Sequence, residues 1–103
     1  MKEMIERMQE IHDKFKFKEN GGEDILFRLS LMMEELGEIC SAVTKNKGDI
    51  AEEHADLLIL LLGNCISLDI DIESEYWKKT DEMLNYKCFS NGKNIRLVSK
   101  ENE

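Results

Sequence analysis

Apolar residues stand at Ile25, Leu29, Met32, Leu36, Ile39 and Val43, stepping by four and three without a slip. Only a helix gathers that step onto one side of the backbone, because each residue turns ~100° from the last. A strand would scatter the same side chains over both faces. The stretch therefore predicts a long amphipathic helix from about Glu23 to Thr44, with a seam shaped for packing against other helices. No proline occurs anywhere in the 103 residues, so little in the chain opposes further helices.

Three more helical segments follow from the same periodicity. One runs from about Lys2 to Phe17, with Met4, Ile5, Met8, Ile11 and Phe15 at helical spacing, and ENGGED breaks it. KNKGD closes the seam helix, with Gly48 as a stop and Asp49 as an N-cap for a third helix from about Ile50 to Leu68. Within that helix Leu57 to Leu62 are apolar on every side. A bundle this small cannot surround one helix completely, so part of the run is expected to pack against a second subunit. After DIDIES, a fourth helix is expected from about Ile72 to Lys87, with Ile72, Tyr76, Met83 and Leu84 facing inward. The tail, residues 88–103, holds Asn91-Gly92 between short apolar runs, which suits a hairpin or an extended arm. The expected fold is all-α: one domain over residues 1–103, a four-helix bundle completed by oligomerisation, with a short hairpin or extended tail.

The net charge of -8 repels polyanions and anionic membrane surfaces, so neither nucleic-acid polymers nor membranes are expected partners. The six-residue run Leu57 to Leu62 is far short of a membrane span, which needs ~20 apolar residues. MKEMIERMQEIHDKFKFK lacks the apolar stretch of a secretory leader. Cys40, Cys65 and Cys88 form no CxxC pair and read as reduced thiols of a cytoplasmic protein.

The chemistry lies in an internal echo. EELGE places Glu34, Glu35 and Glu38, and EEHAD places Glu52, Glu53 and Asp56, at the same spacing i, i+1, i+4. On a helix those positions fall within an arc of ~100°, so each triplet is a compact carboxylate patch. Neighbouring helices joined by a short connection should bring the two patches face to face. The plain alternative is a pair of solvated charge runs in a chain with 22 acidic residues. Against it, each patch abuts apolar residues, and no lysine or arginine lies between Met32 and Val43 or between Ile50 and Ile72. Unpaired carboxylates near an interior repel one another and resist desolvation. A hard divalent cation with oxygen ligands answers both problems, and Mg²⁺, or Mn²⁺, suits best. His54 rotates ~200° away from Asp56, so it reads as a packing or interface residue and not a ligand. His12, alone on the first helix, reads as a packing residue too.

EELGE, a 14-residue gap, then EHAD resembles the EExxE…ExxD pattern of the MazG-like nucleoside triphosphate pyrophosphohydrolases, within the all-α NTP pyrophosphatase superfamily. The likeness covers roughly Leu26 to Asn85. It implies Mg²⁺-dependent hydrolysis of an NTP or dNTP at the α–β bond, in a homodimer or homotetramer, with water as nucleophile. By motif, Glu35, Glu38, Glu53 and Asp56 would hold the metal, and Glu34 or Glu38 would take the proton from water. Lys79, or Lys78 beside it, would hold the outgoing pyrophosphate. The family often carries an asparagine four residues after that lysine; Met83 stands there instead, and Asn85 follows two positions on. Phe15 and Trp77 could stack on the base, though burial in the core is the plainer reading for each.

Two other readings stay open. Phosphoribosyl-ATP pyrophosphatase belongs to the same superfamily and has a similar ADLL-bearing second motif, while the glycine in EELGE and the long fourth helix favour the MazG-like branch. A catalytically silent helical dimer, with a structural or regulatory metal site, is the non-enzymatic alternative.

Overall fold

The computed structural model describes residues 1–99. It shows helices α1 (Lys2–Lys14), α2 (Phe17–Asn20), α3 (Ile25–Thr44), α4 (Ile50–Ser67) and α5 (Ile72–Met83), then strands β1 (Lys87–Ser90) and β2 (Ile95–Val98). The last four positions of the expected tail, 100–103, lie outside the described residues. The chain forms two compact units, Met1–Ile70 and a second from Asp71 onward. None of the described helices is long and apolar enough to cross a membrane.

Aspartates set three helix starts. Asp24 Oδ2 accepts from Phe27 N at 3.0 Å, and Asp49 Oδ1 accepts from Ala51 N at 2.9 Å and Glu52 N at 3.1 Å. Asp71 Oδ1 accepts from Ser74 N at 3.2 Å. Each side chain satisfies amide groups that a first helical turn leaves open. The end of α4 is a Schellman motif: Ile70 N donates to Cys65 O at 2.8 Å and Asp69 N to Ile66 O at 3.3 Å. Asp69 takes the left-handed conformation there, with φ 54°, a place more often held by glycine.

The first helical segment is not continuous to Phe17, as its periodicity suggests, but stops at Lys14. Lys16 adopts φ 53° and ψ 47°, and the chain restarts as the single turn of α2. The reason is packing around Phe17. Its ring lies 4.8 Å from the His12 ring and so close to Gly22 that a Cβ there would meet it at 2.7 Å. Phe17 is drawn inward and half-buried, while Phe15 is left 57% exposed, so Phe15 is not the core residue its spacing suggests.

The first unit is built on α3 against α4, with α1 packed on α4. Arg28, near the start of α3, bonds Asn64, near the end of α4, so the two helices run antiparallel. The stripe of α3 turned toward α4 runs through Arg28, Glu35 and Ala42 and is one step round from the apolar seam. Ile25, Met32 and Ile39 are half-buried beside it, whereas Leu29, Leu36 and Val43 stay exposed. The seam is real but only half of it meets its own chain. In α4 itself Leu62 is buried, while Leu58, Ile59 and Leu61 remain partly open to solvent.

In the second unit, α5 buries none of its residues, and Tyr76 (53%) and Leu84 (86%) are exposed. The inner face expected from Ile72, Tyr76, Met83 and Leu84 is therefore not formed: only Ile72 is half-buried. The helix ends at Met83, short of Lys87, because Asn85 N and Tyr86 N close turns onto Glu82 O and Met83 O. The tail forms the hairpin: Lys87 pairs with Val98, Cys88 with Leu97, Phe89 with Arg96 and Ser90 with Ile95. Its loop is held by Asn91 Oδ1, which accepts from Lys93 N at 3.0 Å and Asn94 N at 2.8 Å. Gly92 supplies the positive φ of 86° that the loop requires.

Candidate metal centre

The antiparallel α3–α4 pair carries one acidic triplet on each helix. One oxygen from each of Glu35, Glu38 and Glu53 lies within 4.8 Å of the others. Glu35 and Glu53 are half-buried, and Glu38 is exposed at the rim. The Oε2 atoms of Glu35 and Glu53 are closed off from solvent and accept no hydrogen bond. Two close ion pairs among the described residues, Arg7–Glu10 and His12–Glu23, involve none of these three glutamates.

Such crowding leaves an electrostatic mark. The Glu53 carboxyl is pushed up to about 7, first by its contact with Glu38, then by burial and by the charges of Glu38, Glu35 and Asp56. Burial also raises Glu35, with the charges of Glu38 and Asp56 adding to it, while its contact with Glu53 pulls the other way. Asp56 is half-buried and raises both glutamates, yet it is not one of the three whose oxygens converge. Glu34 is exposed and touches the site only through its charge on Glu35.

The donor set fits a hard cation. Opposite oxygens around octahedral Mg²⁺ stand roughly 4.2 Å apart, since each lies ~2.0–2.1 Å from the ion. At most one pair among three ligands can stand opposite, and adjacent oxygens stand roughly 2.9 Å apart, so the trio, now within 4.8 Å, would draw in around an ion. Two of the three residues, Glu35 and Glu53, each carry a buried oxygen, Oε2, that accepts no hydrogen bond. His54 takes no part: it is exposed, and its Nδ1 donates to Ile50 O at 2.7 Å on its own helix.

The remaining candidates divide between the units. Phe15, in the first, stacks loosely on Phe17 at 6.3 Å. Lys78, Lys79, Trp77 and Asn85 belong to the second unit. Lys79 Nζ donates to Tyr86 OH at 2.9 Å, and that bond raises its pKa. Lys78 is exposed beside it, in a small cleft with Glu75 and Glu82. Asn85 Nδ2 donates to Asp81 O at 3.4 Å. Trp77 is 58% exposed, edge-on to Tyr76 at 5.2 Å, so core burial is not its role within the chain.

Sequence spacing missed a second polar cluster. Arg28 is only 3% exposed, and its Nε donates to Asn64 Oδ1 at 2.7 Å. Its Nη1 donates to Gly22 O and its Nη2 to Leu60 O, both at 3.0 Å. Asn64 Nδ2 in turn donates to Met32 Sδ at 2.8 Å. The fully buried His12 donates from Nδ1 to Glu23 Oε1 at 3.0 Å. Burial lowers the Arg28 pKa, and the Glu23 charge partly restores it. The one available signal was a lone cation in ILFRLSLMM, the apolar first half of α3.

Among known families, the model of the one described as phosphoribosyl-ATP pyrophosphohydrolase matches residues 1–80. That span takes in α1 to α4 and most of α5, including both acidic triplets. No curated protein and no solved structure gives a significant match.

Proposed function

The chain belongs to the phosphoribosyl-ATP pyrophosphohydrolase family, and from that premise we propose that it is a Mg²⁺-dependent hydrolase that splits a nucleotide between its α and β phosphates. Phosphoribosyl-ATP is the first substrate on this reading, with phosphoribosyl-AMP and pyrophosphate as products. The observation that carries the reading is the converging trio of Glu35, Glu38 and Glu53, with two oxygens buried and without donors. The MazG-like assignment differs from the family that matches, although both lie in one superfamily. Its substrate class, NTP or dNTP, stays as the second reading because the EELGE…EHAD spacing supports it.

Glu35, Glu38 and Glu53 would hold the ion, with Asp56 closing in from the same helix face. A bound Mg²⁺, or Mn²⁺, supplies charge neutralisation for the phosphates and a more acidic water. Glu38, the exposed member of the trio, would take the proton from that water, with Glu34 as the alternate base. Lys78 is the freer cation for the outgoing pyrophosphate, since Lys79 is engaged by Tyr86. Phe15 and Trp77, both exposed, are available to stack on the base, and Asn85 could contact substrate only by giving up its bond to Asp81 O.

The assembly belongs to the same proposal. Leu26 (72% exposed), Met33 (76%) and Val43 (59%) leave much of α3 uncovered. A homodimer or homotetramer would bury that surface. The test of the function is a substrate panel: phosphoribosyl-ATP, the NTPs and the dNTPs with Mg²⁺, products separated and identified. Glu38→Gln should lower turnover by at least ~100-fold while leaving helicity unchanged. A wild-type chain that releases pyrophosphate from none of them is not this enzyme, and the silent structural dimer then stands in its place.

A further inference from the structure

We propose that Arg28 is a positioning residue for the carboxylate cluster: its guanidinium pins α3 to α4 in the register that brings Glu35 and Glu38 to Glu53. The inference rests on the metal-centre reading above and extends it to a residue well away from the ligands.

Three observations carry it. First, Arg28 is buried and spends its bonds between elements. Two of its three nitrogens bond α4, through Asn64 Oδ1 and Leu60 O, and the third bonds Gly22 O ahead of α3. Leu60 O lies inside a helix and already serves the helix's own ladder, so it takes the guanidinium on its second lone pair. Second, α4 is shaped to admit it. A Cβ on Gly63 would overlap Arg28 Nη2, so a glycine is needed where the guanidinium lies against the helix backbone. Third, clamp and cluster share one seam. Arg28 is seven residues before Glu35, and Asn64 eleven after Glu53. Each separation returns to within ~20° of the same helix face, and the first spans about 10 Å of axis.

A buried charge is a poor source of net stability, since desolvation offsets most of what its bonds return. What it does supply is a register, because three directed bonds close in only one arrangement. Register is what the cluster needs. Three carboxylates facing each other push α3 and α4 apart. The chain connection at residues 45–49 holds the helices on one side of that repulsion, and Arg28 holds them on the other. Mg²⁺ demands near-ideal octahedral distances of ~2.0–2.1 Å, so a small slide of one helix would spoil the trio.

The test is a Mn²⁺ titration of the full chain, read by the paramagnetic resonance of the free ion, at a temperature where circular dichroism shows each variant folded. Arg28→Met should weaken Mn²⁺ binding about tenfold, the lower end of what loss of an outer support does to a metal site. Asn64→Leu removes one bond of the clamp and should shift affinity in the same direction by less, which keeps the test open if Arg28→Met does not fold. Arg28→Lys, keeping the charge but not the fork, should fall between wild type and Arg28→Met. A merely structural arginine would lower the melting temperature and leave the affinity of the folded protein unchanged; that result overturns the proposal. A wild-type chain that binds no Mn²⁺, or binds it equally with Glu53→Gln, overturns the metal-centre reading and the positioning role with it.

Discussion

Glu53 carries the heaviest electrostatic load in the cluster. Its carboxyl titrates at about 7 in the folded chain, against 4.5 for an unperturbed glutamate. A group whose folded pKa is raised holds its proton more tightly in the native state. Its contribution to stability is therefore complete below about 4.5 and is lost as pH rises through about 7. Thermal melts of metal-free protein in chelator should show a melting temperature that falls across that window. Glu53→Gln should flatten the fall, and an unchanged slope in that variant would place the titration elsewhere. Divalent binding must displace the same proton, so Mn²⁺ affinity should rise over the same window and then level off. That the two acidic patches face each other was legible from spacing, because helical rotation is a property of the backbone alone; Glu35, Glu38 and Glu53 converge, and Asp56 is not among the three. Arg28 was not legible, because its role depends on carbonyl groups at Leu60 and Gly22 and on the missing side chain of Gly63. No periodicity records those.

At the scale of elements, helix starts proved the most readable feature, since an aspartate cap is a local bond between a side chain and the next amides. Asp49→Ala should destabilise the chain by about 1 kcal/mol. For a domain of this size that is a melting shift of about 4–8 °C. Because the capped turn of α4 carries Glu53, Asp49→Ala should also weaken Mn²⁺ binding more than Asp71→Ala, which uncaps α5; equal effects would show that the cap does not steady the site. Helix ends read less well. The break after Lys14 depends on Phe17 packing against His12 and Gly22, and the stop after Ser67 uses Asp69 where glycine is usual. Both are choices made by tertiary contacts or tolerated strain, not by a residue type that announces them.

The whole molecule leaves a broad apolar surface on α3. The expectation of a second subunit was drawn from Leu57 to Leu62, yet within the first unit the most exposed apolar residues are on α3, at Leu26 and Met33. The seam periodicity showed that a face must be covered; it could not show by which partner. Sedimentation at micromolar concentration should give a dimer or tetramer, and Met33→Glu should shift it toward monomer with helicity retained. A monomeric wild type would remove the oligomer from the account. Function has the same structure of legibility: the paired acidic triplets are plain in the spacing, whereas the residues that would choose a substrate lie outside those motifs. The central claim is tested most directly by incubating the purified chain with phosphoribosyl-ATP and Mg²⁺ and identifying the products. The account predicts phosphoribosyl-AMP and pyrophosphate in equal amounts, lost in Glu38→Gln. Release of inorganic phosphate, or turnover that survives that substitution, would contradict it.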